Sequence, residues 1–237
     1  MSKITLLFLV LFPVLVFPAD NLFDAAKEGD VAFIVKYKGD LNAKFINNGM
    51  TALMYASLHG HTDIVKVLIA KKVDVNAVDD NSVTALMFAL EHTNVIKALI
   101  AAKADVNAVN EYGWTALHSA ANTGKTDAIK VLIAEKADVN AVNDTGNTAL
   151  MLAAYNGHID AVKTLIAGKA DVNAVDIFTR TALMYAANWE YIEIISVLLA
   201  AKANVNVVSQ NGETALSFAY GKQNIAIINL LKKAGAK

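Results

Sequence analysis

An all-α fold built from repeated helix pairs is what this sequence predicts, and three observations carry it. The tripeptide Thr-Ala-Leu begins at Thr51, Thr84, Thr115, Thr148, Thr181 and Thr214, at intervals of 33, 31, 33, 33 and 33. An asparagine keeps the same step, at Asn76, Asn107, Asn140, Asn173 and Asn206, and Asn42 extends the series backward. The hexapeptide ADVNAV recurs at residues 104–109, 137–142 and 170–175, with a fourth copy, VDVNAV, starting at Val73. Markers that hold one period of this size indicate a stack of supersecondary units.

Each unit reads alike, and residues 144–175 serve for all. Asp144-Thr145-Gly146-Asn147 is a turn sequence, with glycine available for positive φ. Thr148 suits a helix N-cap, its hydroxyl accepting from the first unpaired N–H groups. Leu150, Ala153 and Ala154 set the apolar stripe of a short helix, which Asn156-Gly157 ends, with glycine at the left-handed C′ position. Val162, Leu165 and Ile166 mark a second helix by their i, i+3, i+4 spacing. The hexapeptide then runs extended to the next turn. The chain therefore divides into seven units, at about 20–46, 47–79, 80–110, 111–143, 144–176, 177–209 and 210–237. The first is short and more charged and the last ends in LLKKAGAK; both suit capping units.

These residues resemble the ankyrin repeat. The matching signs are Thr-x-Leu-x-x-Ala opening the first helix, Gly-His between the helices at Gly60-His61 and Gly157-His158, and Asp-Val-Asn-Ala after the second helix. The resemblance covers about residues 20–237. It implies an all-α ankyrin-repeat solenoid of antiparallel helix pairs with β-turn fingers along one edge, each pair burying its apolar face against its neighbours. It also implies a surface, formed by fingers and inner helices, that binds other proteins.

Three departures from the family pattern have physical consequences. Alanine follows each threonine where the family has proline, exchanging a preorganised first helical residue for helix propensity. The family's glycine before Asp-Val-Asn is Lys72, Lys103, Lys136, Lys169 and Lys202, and only Gly235 keeps it. If the backbone is left-handed there, each lysine costs about 1 kcal/mol relative to glycine, offset by a few tenths through its charge at a helix C-terminus. The family's inner-helix histidine survives only as His118; Met54, Met87, Met151 and Met184 replace it, and Ser217 in the last unit. The unit at 80–110 lacks two residues around ALEHTNVIK, which predicts a tight inter-helix turn.

Composition narrows the function classes. The 21 basic and 22 acidic residues give a net charge of −1, which argues against nucleic acid. No cysteine is present, which excludes disulfides, thiolate metal sites and a cysteine nucleophile. The first residues, MSKITLLFLVLFPVLVFPAD, have the form of a signal peptide over 1–19: Lys3 as the basic n-region, Ile4–Phe17 as the apolar stretch, Ala19 before the cleavage point. Phe17 fits the −3 pocket poorly, and an uncleaved N-terminal anchor is the alternative. Without Lys3 the mature chain carries −2. An exported protein is expected, periplasmic or secreted, and the bare leader and cysteine-free repeat lean to a bacterial source. Beyond an uncleaved anchor no membrane association is expected, and a monomer is.

No constellation for catalysis emerges. His61, His118 and His158 occupy structural positions of the repeat, and His59 and His92 lie near inter-helix turns. Neither HExxH nor a G-x-S-x-G stretch accompanies them, and no glycine-rich phosphate loop appears. Asp74, Asp105, Asp138 and Asp171 stand about one repeat apart as turn or cap residues, too far for a carboxylate dyad. The Asn143-Asp144-Thr145 sequon is explained by the turn it forms. The expectation is a non-enzymatic protein with no catalytic, cofactor-binding or metal residues and no cofactor.

Residues that change between equivalent positions are free to read a partner. Both tryptophans, Trp114 and Trp189, fall at finger or inner-helix-end positions, with Tyr112, Tyr155, Phe178 and Arg180, the chain's only arginine. Trp, Tyr and Arg are the types most enriched in binding hot spots. The six are the candidate protein-binding residues, with packing inside the solenoid as the other reading of the two tryptophans. The functional expectation is a binding module for a partner protein, and the alternatives are a structural or stress-protective envelope protein and a regulatory subunit or inhibitor of an enzyme in the same compartment.

Overall fold

Inner and outer helices alternate along the chain in the computed structural model, which describes residues 18–237. The expected leader lies, as far as Phe17, outside the described residues. The inner row is α1 (Pro18–Glu28), α3 (Ala52–Leu58), α5 (Ala85–Phe88), α7 (Ala116–Asn122), α9 (Ala149–Tyr155), α11 (Ala182–Asn188) and α13 (Ala215–Gly221). The outer row is α2 (Val31–Lys36), α4 (Thr62–Ala70), α6 (Thr93–Ala101), α8 (Thr126–Ala134), α10 (Ile159–Ala167), α12 (Ile192–Ala200) and α14 (Ile225–Lys233). Each helix packs against its partner in the pair and against the corresponding helix of the next unit. The seven units and the all-α solenoid are thus present, with three isolated bridges, such as Val142–Thr148, as the extended pairing among the described residues.

The elements form where their residues dictate. Thr51, Thr84, Thr115, Thr148, Thr181 and Thr214 each cap an inner helix, the hydroxyl accepting from the backbone N–H three residues on. Leu150, Ala153 and Ala154 are buried beneath it, as are Val162 and Leu165 from the outer helix. Alanine on the inner helices lets them approach closely, while leucine and isoleucine from both rows fill one continuous core.

The two-residue deletion in the third unit falls on the inner helix, not on the turn. Helix α5 has four residues where its neighbours have seven, and the segment up to the N-cap His92 closes through His92 N–H to Ala89 C=O at 2.8 Å. The expected tight turn is present beside the shortened helix, closed by that bond where other units bond over a longer span, as His61 N does to Ala56 C=O. The outer helix has to stay in register with α4 and α8, whereas the end of an inner helix faces outward and can be dropped.

Two ladders run across the units. In the first, the N-cap residue of each outer helix lies over the inter-helix turn of the preceding unit. A Cβ on Gly157, at φ +77°, would sit 2.7 Å from the Tyr191 ring, so glycine here serves both the backbone and the stacking. Where Glu91 replaces that glycine, Lys125 of the next unit replaces the ring and pairs with it. Glu190, similarly, receives a hydrogen bond from Asn224 at 2.9 Å.

The second ladder explains the invariant asparagine. Its side-chain oxygen accepts from the backbone N–H two residues before the next asparagine: Asp105 N to Asn76 Oδ1, Asp138 N to Asn107 and Asp171 N to Asn140, each 2.8 Å. The aspartate of each arm in turn accepts from the asparagine N–H, as Asp138 does from Asn140 at 2.9 Å. This confirms the aspartates as turn residues. Asn140→Ala should cost about 1 kcal/mol, the net worth of one such bond, and lower the melting temperature by about 3 °C; an unchanged thermal melt would remove the ladder from the account of stability.

The lysines before each arm are left-handed, with φ of 61° at Lys72, 73° at Lys103, 67° at Lys136, 70° at Lys169 and 65° at Lys202. Each closes its outer helix in a Schellman turn, seen at Ala137 N to Leu132 C=O, 2.9 Å, and Lys136 N to Ile133 C=O, 3.0 Å.

Candidate functional site on the finger and inner-helix face

A finger is built from its base upward. Asp79, Asn110, Asn143 and Asp176 sit at the base, and each Oδ1 accepts two backbone N–H groups of its own turn. Asn143 is buried and its amide oxygen is occupied, so the sequon is a turn, as expected. Adjacent fingers are then tied together backbone to backbone: Glu111 N to Asn81 C=O, Asp144 N to Tyr112 C=O and Ile177 N to Thr145 C=O, each 3.2 Å. The finger edge is consequently a rigid platform, and Ser82 and Thr179 take φ of 61° where other fingers have glycine.

His118 holds a finger from within the core. Its Nδ1 lies 2.8 Å from the Thr115 hydroxyl, and its Nε2 donates to the carbonyl of Asn147 in the next finger at 3.0 Å. Burial holds its pKa below the usual histidine value. At Met54 the corresponding contact is a weak one, Thr51 N to Met54 Sδ at 3.4 Å. His61 and His158 reach backbone carbonyls of the preceding unit, so all three histidines are structural.

Four of the six candidate residues come together. Tyr155 meets the Tyr185 ring edge to face at 5.6 Å and the Trp189 ring at 5.5 Å. Arg180 lies over Phe178, 4.7 Å from the ring centroid, and over Tyr185 at 5.0 Å. Its Nε and a terminal nitrogen both lie 2.9 Å from Oδ2 of the buried Asp176. The Tyr185 hydroxyl donates to that same oxygen at 2.6 Å. Burial and the adjacent carboxylate push the Tyr185 pKa well above the ordinary tyrosine value. Tyr155, Arg180, Tyr185, Trp189, Glu213 and Phe218 line one cleft of about 310 Å³ across the last three units, with Phe178 at its rim through Arg180.

Tyr112 and Trp114 stand apart from it. Trp114 is half-buried at the end of its finger, its ring 6.3 Å from that of His118. Tyr112 is 62 % exposed at its finger tip, with its pKa raised by Glu111. The sequence reading missed Tyr185 and Asp176. Tyr185 occupies an inner-helix position that varies between units (Tyr55, Phe88, Ser119, Leu152, Tyr185, Phe218), a signal available to anyone comparing that column. The role of Asp176 depended on a contact with the neighbouring helix.

Charge is unevenly placed on this face. The six finger segments carry Lys44 and Arg180 against Asp79, Asp80, Glu111, Asp144, Asp176 and Glu213, a net of −4, whereas the whole chain carries −1. Helices α3, α5, α7, α9, α11 and α13 bear no charged side chain. No helix among the described residues is long and apolar enough to cross a membrane.

A family model described as ankyrin repeats (three copies) matches residues 22–110, 91–176 and 165–237. The NAD-capped RNA hydrolase NUDT12 of Macaca fascicularis, Pongo abelii and Homo sapiens is 39 % identical over 69 residues. That stretch is 28 % of this chain and 15 % of each relative. The chain thus matches only a small part of those curated relatives, and the activity in their name belongs to them.

Proposed function

The chain belongs to the ankyrin-repeat family, whose repeats are generally protein–protein interaction modules, and on that premise we propose that this protein works without chemistry of its own, by holding a partner protein on its finger and inner-helix face. One observation carries the reading. Every exposed aromatic side chain among the described residues (Tyr112, Tyr155, Phe178, Trp189 and Tyr220) lies on a finger, on an inner helix or at its cap. Single exposed apolar residues are ordinary, but several aromatics gathered on one face mark an interaction surface. Outer-helix exposure is aliphatic instead, at Val35, Ile192 and Ile225.

A photo-cross-linking residue at Tyr155, used in the native extract, tests it. One stoichiometric partner supports the reading; a smear of products favours a structural or stress-protective role. Trp189→Ala is expected to weaken that association at least about tenfold, in the range of hot-spot truncations, and to shift the melting temperature by less than about 3 °C, since the ring is 44 % exposed. A large drop in melting with unchanged association would mean that Trp189 packs and does not bind.

The working compartment in this reading is outside the cytosol, periplasmic or secreted, on the strength of Lys3 and the apolar stretch Ile4–Phe17. N-terminal sequencing of the mature protein should begin at Asp20. An intact Met1 would leave an anchored or unprocessed chain.

A further inference from the structure

The cleft at Tyr155 and Trp189 has one uncancelled charge, and it is negative. Arg180 is neutralised by Asp176, which takes both of its contacting nitrogens at 2.9 Å. Glu213, on the cleft wall, donates its backbone N–H to Ser209 Oγ at 3.1 Å, while its carboxylate makes no ion pair among the described residues. Beside Met184 and Asn188 the remaining walls are the rings of Tyr155, Tyr185, Trp189 and Phe218, and ring faces carry negative quadrupole charge that attracts cations. The three fingers beside the cleft carry Asp144, Asp176 and Glu213 against Arg180, a net of −2 with Glu213 included, and the inner helices of the repeats from residue 51 onward add no charge up to Gly221.

We propose that the partner presents a basic surface to the fingers, and that one of its arginine or lysine side chains seats in the cleft between Tyr155, Trp189 and Glu213. This rests on the protein-binding reading above and adds the partner's chemistry to it. The apolar stem lies along the rings and the charged head reaches Glu213. Rings orthogonal to one another, at 84° for both Tyr155 pairs, offer a face and an edge to such a stem. The acidic fingers steer the approach, so association slows as salt rises.

The probes are three capped tripeptides, glycine-X-glycine with X as arginine, norleucine or glutamate, titrated into the purified full chain labelled with nitrogen-15. The two indole N–H signals report, assigned by Trp189→Phe. The arginine peptide is expected to move the Trp189 signal saturably at millimolar concentration and leave that of Trp114 in place. Norleucine should bind about fivefold more weakly, and Glu213→Gln should weaken the arginine peptide by about the same factor, the worth of one part-exposed ion pair. Equal binding of the glutamate peptide, no response to the arginine peptide, or an unchanged titration with Glu213→Gln would each overturn the proposal. A partner captured at Tyr155 by a chain that ignores the arginine peptide sinks this inference alone. A chain that takes the peptide but yields no stoichiometric partner sinks the protein-binding reading.

Discussion

Replacing Lys72, Lys103, Lys136, Lys169 and Lys202 together by glycine should raise the melting temperature by about 10 °C. All five are left-handed, a conformation that costs an L-residue about 1–2 kcal/mol and glycine almost nothing. Two effects work against the gain. Glycine widens the unfolded ensemble by about 0.4–1 kcal/mol, and a cation at a helix C-terminus is worth a few tenths. A net of roughly 0.7 kcal/mol per site remains, and sites one repeat apart should add. At about 3 °C per kcal/mol for a chain of this length, five sites give the expected shift and Lys136→Gly alone gives about 2 °C. Thermal melts of the single and fivefold variants check both. A loss of stability in either would mean that lysine stems pack on the helix ends for more than the strain they carry. Thr179→Gly tests the same strain in a finger, where a β-branched residue holds φ 61°.

Asp176→Ala is expected to cost about 3–5 kcal/mol, the range for removing one partner of a buried, hydrogen-bonded charge pair, and to lower the melting temperature by about 10 °C. The carboxylate is buried and accepts from the N–H groups of Phe178 and Arg180, from the Arg180 guanidinium and from the Tyr185 hydroxyl. Its loss leaves two turn N–H groups and a half-buried guanidinium without partners, and it frees the rings that wall the cleft. Asp176→Asn separates the two roles. Asn110 and Asn143 already perform the turn function as amides, so the amide should keep the finger and lose mainly the guanidinium pair, at about 1 kcal/mol. If the two variants melt alike, the ion pair dominates and the turn bonds count for little.

The repeat frame was legible because its threonine and asparagine markers are each written six times in local chemistry. A threonine cap, alanine-rich inner helices, glycine at helix ends and an extended arm are choices that adjacent residues make together. The asparagine was legible as a marker but not as a part, since its acceptor role lies in the next unit's backbone. Met54 stands where the family has histidine, and the structure gives it a weak sulfur contact to the Thr51 N–H. The deletion at 80–110 was placed in the turn by its position in the sequence, but packing of the outer helices assigned it to α5.

The candidate site divides along the same line. Variation between units picked out Tyr155, Phe178, Arg180 and Trp189, which meet, and also Tyr112 and Trp114, which do not join them. Trp114 ends a finger and lies beside His118 of its own unit, whereas Trp189 caps α11 and is exposed beside Tyr155 of the preceding unit. Variation between units marks both positions and does not say which of them joins the other aromatics.

By itself, then, the sequence determined the period, the helix pairs, the caps and the left-handed sites, all set by interactions within a few residues, where backbone sterics and capping bonds act. Only the tertiary structure decided that Asp176 neutralises Arg180, that Tyr185 closes the cleft, and that Glu213 is left without a partner beside the aromatic rings. Asp176 and Arg180 share one finger, four residues apart, but Tyr155, Trp189 and Glu213 come from three successive units, at separations fixed by how the solenoid stacks, and a pattern along one chain carries no record of which surface each unit turns to the next.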